Sequence, residues 1–295
     1  MTSNSYVLVT KGPEVARVAV SFSAFPDGDT HCVVEDVAMV RGGQLLVVHN
    51  LYPQQNEQIM RLLLLLDLLH ELGAASVCVF SPYLPYARQD RRHIAGESVS
   101  ADTLCRLLSR ARCERLYTID CHFMRGQSQV VRCGLKVVNF SVGNQLMEAC
   151  RQLIGHDMYD VIGPDEGAAY LTESHSAQHM HKVRGAYDAL ADGDSYRKIA
   201  TLDSDHLRLK YDTVVIVDDM VSTGSTLLHA IQNLRSQGVD HVYCCVTHGL
   251  FVNDSYQSIR DQVDAIVCSD SVAQAGATPI VESALQQAIA DLVTG

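Results

Sequence analysis

Two adjacent aspartates follow an apolar run, and a loop of small residues follows them. The segment VVIVDDMVSTGST spans residues 214–226. In an open parallel sheet, ligands gather at the carboxyl ends of the strands, and the free N–H groups and dipole of a following helix favour an anion. Carboxylates can hold vicinal hydroxyls while the loop holds a phosphate, so the segment predicts a sugar-phosphate site. The residues predicted to form it are Asp218, Asp219, Ser222, Thr223, Gly224, Ser225 and Thr226. The alternative is an ordinary capped strand-to-helix turn, in which two neighbouring carboxylates repel each other without compensation.

The order apolar strand, Asp-Asp and Thr-Gly-x-Thr resembles the ribose-phosphate loop of the phosphoribosyltransferase-type fold. That resemblance implies phosphoribosyl pyrophosphate chemistry without showing whether the compound is made or consumed. A second segment, SPYLPYARQDRR at residues 81–92, resembles the signature of the ribose-phosphate pyrophosphokinase family, which makes it. Within this segment Arg88 offers a planar fork for phosphate and a face that can stack on a base, and Gln89 can hydrogen-bond a base edge or a hydroxyl.

Segment FPDGD, residues 25–29, resembles the family's adenine-contacting segment, which reaches the nucleotide of a neighbouring subunit. The resemblance implies ATP contacts from Phe25, Asp27, Gly28 and Asp29, in addition to Arg88 and Gln89. Asp29 stands where the family usually has the longer Glu. If Phe25 reaches a neighbour's nucleotide, activity requires an oligomer, and the family forms dimers assembled into larger rings. We therefore expect a homodimer or a higher homo-oligomer such as a hexamer.

Two further segments resemble the family's metal-associated motifs. TIDCHFMRG contains His122, and VIGPDEGAA contains Asp165. The resemblance implies that both residues position Mg²⁺, although this ion prefers oxygen ligands and histidine is an unusual one. After His122 the sequence departs from the family, because FMRG stands where a Gln-rich stretch is usual. THGLFVND also resembles a family turn, and we interpret its His248 as structural.

In the family that these motifs resemble, a loop that closes over the nucleotide also supplies a Lys-x-Arg pair. HKVRG supplies this spacing with Lys182 and Arg184, which we expect to stabilise the transition state. SYRKIATL supplies Arg197 and Lys198 in the reverse order, so Lys198 remains the alternative catalytic lysine. The reaction that the resemblance implies is the transfer of a diphosphoryl group. Such a transfer depends on alignment of the reactants and on cations more than on a covalent intermediate, and a Lys-x-Arg pair can supply the cations.

These motifs require a scaffold of parallel strands, and the chain supplies the pattern for one. Short apolar strand segments alternate with helix-length segments, which is typical of an α/β fold. The order strand, polar loop and helix occurs in both halves of the 295 residues. The sequence predicts two tandem phosphoribosyltransferase-like lobes, each a mostly parallel sheet flanked by helices. We expect an ATP-contacting lobe at 1–142 and a lobe that binds ribose 5-phosphate at 143–295.

Composition limits the other possibilities. The net charge of −11 argues against a general nucleic-acid surface. RLLLLLDLLHEL is too short to span a bilayer and is interrupted by Asp67 and His70, so it predicts a buried helix and no membrane partner. The first residues show no signal-peptide pattern, and ten cysteines without a C-x-x-C pair are typical of reduced core thiols. A cytoplasmic protein is therefore expected.

The resemblance implies an enzyme that transfers the diphosphoryl group of ATP to the anomeric hydroxyl of ribose 5-phosphate. The products are phosphoribosyl pyrophosphate (PRPP) and AMP, and the cofactor is Mg²⁺. Two alternatives stay open. A phosphoribosyltransferase that consumes PRPP explains residues 214–226 but not 81–92, and a non-catalytic regulatory paralogue accommodates the altered surroundings of His122.

Overall fold

The structure is a computed structural model of the chain. The ranges that it describes are 5–11, 14–164, 171, 178–184, 199–203, 207–273 and 276–294, with the side chains of 181–184 and 199–203 left out. The chain divides into two compact units, one formed by Met1–Phe140 with Val281–Gly295 and the other by Ser141–Ile280.

An eight-stranded sheet forms the centre of the first unit. Its strands are β1 (Ser5–Thr10), β2 (Val15–Ala24), β3 (Thr30–Val34), β4 (Gln44–His49), β5 (Ser76–Phe80), β6 (Arg115–Ile119), β7 (Ser128–Arg132) and β8 (Leu135–Phe140). Their order is β3-β2-β1-β4-β5-β6-β8-β7. The central strands β4, β5, β6 and β8 pair in parallel, whereas the outer pairs are antiparallel. The sheet is therefore mixed where the sequence predicts a mostly parallel one, because short turns between β1, β2 and β3 can join only antiparallel strands.

Four helices of the described ranges belong to the first unit. They are α1 (Val37–Val40), α2 (Gln55–Glu71), α3 (Ser100–Arg110) and α7 (Val281–Thr294). Residues 61–71 of the apolar run lie in α2, as predicted, and they bury Leu62, Leu65, Leu66 and Leu69 at helical spacing while Asp67 stays exposed. No helix in the described part of the chain is long and apolar enough to cross a membrane.

The C-terminal helix differs from the sequence-based division into lobes. Helix α7 belongs to the first unit and packs against β4, whereas the sequence places residues 143–295 together in the second lobe. Its apolar stripe of Ala284, Leu285, Ala288 and Leu292 is buried. Such a stripe predicts that a helix is buried, but it does not indicate which sheet receives it.

A parallel sheet forms the centre of the second unit. Its strands are β9 (Asp160–Gly163), β10 (Gln178–His179), β13 (Thr213–Val221), β14 (His241–Gly249) and β15 (Ala265–Cys268), in the order β10-β9-β13-β14-β15. All of its described pairings are parallel. A separate antiparallel pair joins β11 (His181–Arg184) to β12 (Ile199–Asp203). The helices are α4 (Gly143–Ile154), α5 (Ser225–Ser236) and α6 (Ser255–Arg260).

The cysteines contribute to packing and form no disulfide. All ten are free thiols, and eight of them are buried. In the second unit, burial raises the pKa of the Cys268 thiol to about 12, so this group is protonated at neutral pH. The prediction of thiols used as core residues is confirmed by their burial.

A buried histidine makes the first unit sensitive to acid. His49, at the end of β4, is fully buried, with Nδ1 2.6 Å from Ser5 Oγ and Nε2 2.9 Å from the Gln58 carbonyl oxygen. Burial lowers its pKa from 6.5 to about 4. Below pH 6.5 His49 binds a proton in the unfolded chain, whereas in the folded chain it stays neutral down to about pH 4. The stability that neutral His49 contributes is therefore complete above pH 6.5 and is lost as the pH falls towards 4.

Replacing His49 by glutamine should remove this pH dependence. Between about pH 7.5 and about pH 5 we expect wild type to lose about 2 kcal/mol more unfolding free energy than His49→Gln. Urea unfolding followed by circular dichroism at both pH values measures the difference. Equal pH dependence in the two proteins would show that the histidine is not held neutral by the fold.

Candidate active site

The aspartate pair lies inside a strand of the second unit. Strand β13 continues to Val221, and Met220 and Val221 pair with His248 and Gly249 of β14. Asp219 is 7% exposed, Asp218 is half-buried, and Oδ1 of Asp218 accepts a hydrogen bond from the backbone N–H of Asp219 at 3.0 Å. The strand therefore continues for two residues beyond the pair, whereas the apolar run of the sequence stops before it. The ladder with β14 extends past the aspartates and fixes their backbone.

The small-residue loop leads directly into helix α5. Gly224 is its N-cap and adopts a left-handed conformation with φ 76°, and no side chain caps the helix. Thr223 and Ser225 are exposed with their hydroxyl oxygens 3.4 Å apart, while Ser222 and Thr226 are half-buried. The first N–H groups of an α-helix have no acceptor within the helix, and the dipole adds positive potential there. The geometry therefore suits the binding of a phosphate group by backbone amides and hydroxyls.

Residues after β14 hold this loop in place. The Val221 carbonyl accepts hydrogen bonds from the N–H groups of Leu250 and Phe251, at 2.9 and 3.2 Å. The Ser222 carbonyl accepts from the N–H of Val252 at 3.1 Å and from Oγ of Ser255 at 2.9 Å. Four donors within residues 250–255 therefore fix Val221 and Ser222, where the candidate phosphate loop begins.

Helix α6 packs closely against the glycine of the loop. A Cβ atom added to Gly224 would lie 2.8 Å from Cδ1 of Ile259 and 3.3 Å from Cβ of Ser255. Only glycine combines this approach with a positive φ at low cost. The sequence suggests small residues at this loop, but the contact with α6 is visible only in the structure.

His248 is built into the neighbouring strand as a core residue. It is 1% exposed, and its Nδ1 lies 2.8 Å from Oγ of Ser271. Oγ of Ser271 and Oγ of Ser269 both donate to the Thr247 carbonyl, at 2.7 and 2.6 Å. This buried polar network agrees with the interpretation of His248 as structural.

The Arg-Gln-Asp signature forms an ordered loop in the first unit. After β5, the Pro82 carbonyl accepts from the N–H of Ile119 at 3.1 Å and from Oγ1 of Thr118 at 3.2 Å. Further along, the Gln89 carbonyl accepts from the N–H of Ala101 at the start of α3, at 3.2 Å. Arg88 is exposed and Gln89 is half-buried. The loop is thus attached to β6 and α3 while its guanidinium remains available to a ligand.

The FPDGD segment is the turn between β2 and β3. The N–H of Phe25 donates to the Asp29 carbonyl at 2.8 Å, the N–H of Gly28 donates to the Phe25 carbonyl at 2.9 Å, and Gly28 has φ 99°. Oδ1 of Asp27 accepts from the N–H of Asp29 at 3.2 Å. Phe25 is 52% exposed at the tip of this hairpin, beside the His31 ring at 5.5 Å. An exposed aromatic ring on a rigid turn suits a contact with a base or with another chain.

His122 follows β6 on a loop that Asn139 fixes. Oδ1 of Asn139 accepts from the N–H of Cys121 at 2.8 Å, and Nδ2 donates to the Gly126 carbonyl at 2.7 Å. Asn139 is fully buried in β8, whereas His122 is exposed. Asp120, also fully buried, has φ 36°, a conformation that few residues other than glycine adopt. Asn139 therefore holds the backbone of the loop on both sides of His122, and the imidazole of His122 is exposed to solvent.

The remaining candidate residues have limited or no structural description. Lys182 and Arg184 lie on β11, where the backbone pairs Lys182 with Leu202 and Arg184 with Ile199, and only their backbone is described. Asp165 and Lys198 lie outside the described residues. Within the described ranges, no group of three or more His, Cys, Asp or Glu side chains is placed to hold a metal ion.

The structure groups the candidates by unit. It brings Asp218, Asp219 and residues 222–226 together on β13 and α5 in the second unit, and it places the candidates of 25–29, 88–89 and His122 in the first. Sequence reasoning missed two supporting residues, Asn139 and Ser255, because a lone polar residue in an apolar strand or short helix carries no recognisable motif.

Each half of the chain matches the model of a domain found in known proteins. Residues 7–111 match the model of the N-terminal domain of ribose phosphate pyrophosphokinase, and residues 145–279 match that of the phosphoribosyl transferase domain. The chain is 31% identical over 250 residues to the ribose-phosphate pyrophosphokinase of Methanopyrus kandleri, covering 84% of this chain and 82% of that one. It is 27% identical over 273 residues to the ribose-phosphate pyrophosphokinase of Sulfolobus acidocaldarius, covering 87% and 86%.

A solved structure has the same fold. The crystal structure of phosphoribosylpyrophosphate synthetase from Mycobacterium smegmatis superposes with a TM-score of 0.76 and 22% identity, covering 94% of this chain and 92% of that one. At this identity the likeness establishes the fold alone, and the predicted pair of phosphoribosyltransferase-like domains agrees with it.

Proposed function

Because the chain belongs to the ribose-phosphate pyrophosphokinase family, we propose how its residues divide the work of that family's reaction. The enzyme transfers the diphosphoryl group of ATP to the anomeric hydroxyl of ribose 5-phosphate and gives PRPP and AMP. The hydroxyl oxygen attacks the β-phosphorus, the bond from that phosphorus to the α-phosphate oxygen breaks, and AMP leaves. The reaction consumes ATP, and its product PRPP serves nucleotide biosynthesis.

The second unit binds ribose 5-phosphate. Amides and hydroxyls of residues 222–226 hold the phosphate, and Asp218 and Asp219 accept hydrogen bonds from the ribose hydroxyls. The support for this role is the left-handed Gly224 at the amino end of α5, which follows an Asp pair fixed by the ladder with β14. This loop, in a chain that also carries the Arg-Gln-Asp signature, is the observation that carries the proposal.

The first unit binds ATP. Arg88 contacts phosphate or stacks on adenine, and Gln89 hydrogen-bonds the nucleotide. Phe25, Asp27, Gly28 and Asp29 contact adenine. The exposure of Arg88 and Phe25 on ordered turns supports these roles, since a flexible segment would lose more entropy on binding.

Lys182 and Arg184 are the proposed cations for the transition state. Charge on the phosphoryl oxygens rises during transfer, and fixed positive groups lower the barrier by compensating it. Their Lys-x-Arg spacing supports the assignment. Lys198 is the alternative for the lysine.

A divalent metal, which we propose to be Mg²⁺, accompanies the ATP. This ion usually takes only one or two protein ligands and completes its shell with phosphate oxygens and water. His122 and the undescribed Asp165 are the proposed positioning residues. When bound, the ion would offset charge on the phosphoryl oxygens.

Single substitutions in the two units should separate the two substrates. Arg88→Ala is expected to raise KM for ATP by about 10-fold or more, and Asp218→Asn is expected to raise KM for ribose 5-phosphate by a similar factor. Initial rates of AMP release, with each substrate varied at saturating levels of the other, measure both constants. If both variants changed the same KM, or neither changed any, the division of substrates between the units would be wrong.

The rival functions have direct tests. A phosphoribosyltransferase would release pyrophosphate from PRPP when a nucleobase is added, and we expect no such release. A non-catalytic paralogue would bind ATP and ribose 5-phosphate without forming AMP. The likeness to pyrophosphokinases over more than 80% of the chain favours neither rival.

The assembly and location also belong to the proposal. The exposed Phe25 on the β2–β3 turn supports a homodimer or a hexamer in which this turn contacts a neighbour's nucleotide. Size-exclusion chromatography with light scattering gives the oligomeric state. Cytoplasmic location and the absence of a nucleic-acid partner stay predictions.

A further inference from the structure

A short edge strand follows residues 123–126, the segment that departs from the family pattern after His122. Residues 128–132 form β7, which runs antiparallel to β8 at the edge of the first sheet. Val130 and Val131 are exposed, so this strand contributes little to the core. The side chain of its last residue, Arg132, nevertheless contacts three other parts of the first unit.

Arg132 contacts three separate segments of the first unit. Its Nε donates to Oδ1 of Asp102 on α3 at 2.7 Å, and one terminal nitrogen donates to the backbone carbonyl of Asp90 at 2.5 Å. Its guanidinium carbon lies 4.3 Å from the centre of the Phe123 ring. The Arg132 side chain is 20% exposed and that of Asp102 34% exposed, so both charges are partly withdrawn from water. A planar guanidinium is suited to donate along two directions and stack on a ring at once.

Two of the three contacts connect the loops to which the proposed function assigns the nucleotide and its metal ion. Asp90 follows Arg88 and Gln89 in the signature loop, and its carbonyl is held by Arg132. Phe123 directly follows His122. The remaining contact, to Asp102, fixes Arg132 itself to α3, whose first turn also donates an N–H to the Gln89 carbonyl.

We propose that Arg132 is a positioning residue for ATP, which holds the signature loop and the His122 loop in their mutual arrangement through Asp90, Phe123 and Asp102. It acts through Arg88, Gln89 and His122 and does not itself contact the reacting atoms. The inference rests on the proposed function, because it takes from it the nucleotide roles of Arg88 and Gln89 and the metal-positioning role of His122.

Steady-state kinetics of Arg132 variants test this role. Arg132→Ala should raise KM for ATP by about 10-fold, with KM for ribose 5-phosphate and kcat at saturating ATP changed by less than about 2-fold. Arg132→Lys keeps the charge but cannot make both hydrogen bonds and the ring contact, so its KM for ATP should fall between those of wild type and Arg132→Ala. Asp102→Asn should move the same constant in the same direction.

Arg106→Ala is the matched control. Arg106 is an exposed arginine of α3 with a 3.8 Å contact to Cys133 Sγ, and it takes no part in the contacts of Arg132 with Asp90, Phe123 and Asp102. Its variant should keep the wild-type KM for ATP. If Arg132→Ala fails to fold, Arg132→Lys and Asp102→Asn carry the test.

The outcomes separate this inference from the proposed function. A raised KM for ATP in Arg88→Ala but not in the Arg132 and Asp102 variants overturns the positioning role alone. A wild-type KM for ATP in Arg88→Ala overturns the nucleotide assignment from which the inference starts. A lower melting temperature with unchanged KM for ATP would show that Arg132 only stabilises the fold.

Discussion

Lys182→Ala is expected to lower kcat by about 1,000-fold and to leave the affinity for ATP within about 3-fold of wild type. A lysine that compensates charge only as it develops contributes to the transition state more than to the ground state, so its loss appears in turnover. Steady-state AMP release at saturating substrates measures the first quantity, and calorimetric titration with a non-hydrolysable ATP analogue measures the second.

Lys198→Ala is the matched comparison for this experiment. It removes the alternative candidate lysine, and we expect it to retain most of the activity. Full turnover in Lys182→Ala together with loss of turnover in Lys198→Ala would transfer the catalytic role to Lys198. Loss of ATP affinity in Lys182→Ala would instead assign Lys182 to ground-state binding.

Gly224→Ala should raise KM for ribose 5-phosphate by about 100-fold, since a displaced loop loses several of its hydrogen bonds to the phosphate. The added Cβ would lie 2.8 Å from Cδ1 of Ile259, and the backbone has φ 76°. Either the Ile259 side chain or the loop must therefore shift, and a shift of the loop would disturb the bonds from Val252 and Ser255 to the Ser222 carbonyl. KM for ATP should stay near its wild-type value.

Gly238→Ala separates the loop effect from backbone strain. Gly238 follows the other end of α5, has φ 86°, and has no heavy atom within 4 Å of an added Cβ. It should therefore cost about 1 kcal/mol of stability without changing KM for ribose 5-phosphate. A wild-type KM in Gly224→Ala would show that this loop does not hold the sugar phosphate.

The parallel strands and the motif loops could be predicted from sequence because they depend on local signals. The apolar run 214–217 gives β13, and the small residues after it give the turn into α5. Helix α2 follows from the spacing of its leucines. In each case, neighbouring residues carry the information.

Features that depend on distant residues could not be predicted. Arg132 and Asp90 are 42 residues apart, and Ser255 and the Ser222 carbonyl are 33 apart. Helix α7 carries an apolar stripe that would suit either sheet, and only the structure places it with β4. Strand β7 lies beyond the last residue of the motif that contains His122, so the resemblance to the family gives no indication of a role for Arg132.

The fate of the β-phosphorus of ATP tests the central claim most directly. With ATP labelled at that phosphorus and ribose 5-phosphate present, we predict that the label appears in PRPP and that one AMP forms for each labelled product. Without the sugar phosphate, no AMP should form. Recovery of the label in ADP or in free pyrophosphate, or AMP formation that does not depend on ribose 5-phosphate, would contradict the account.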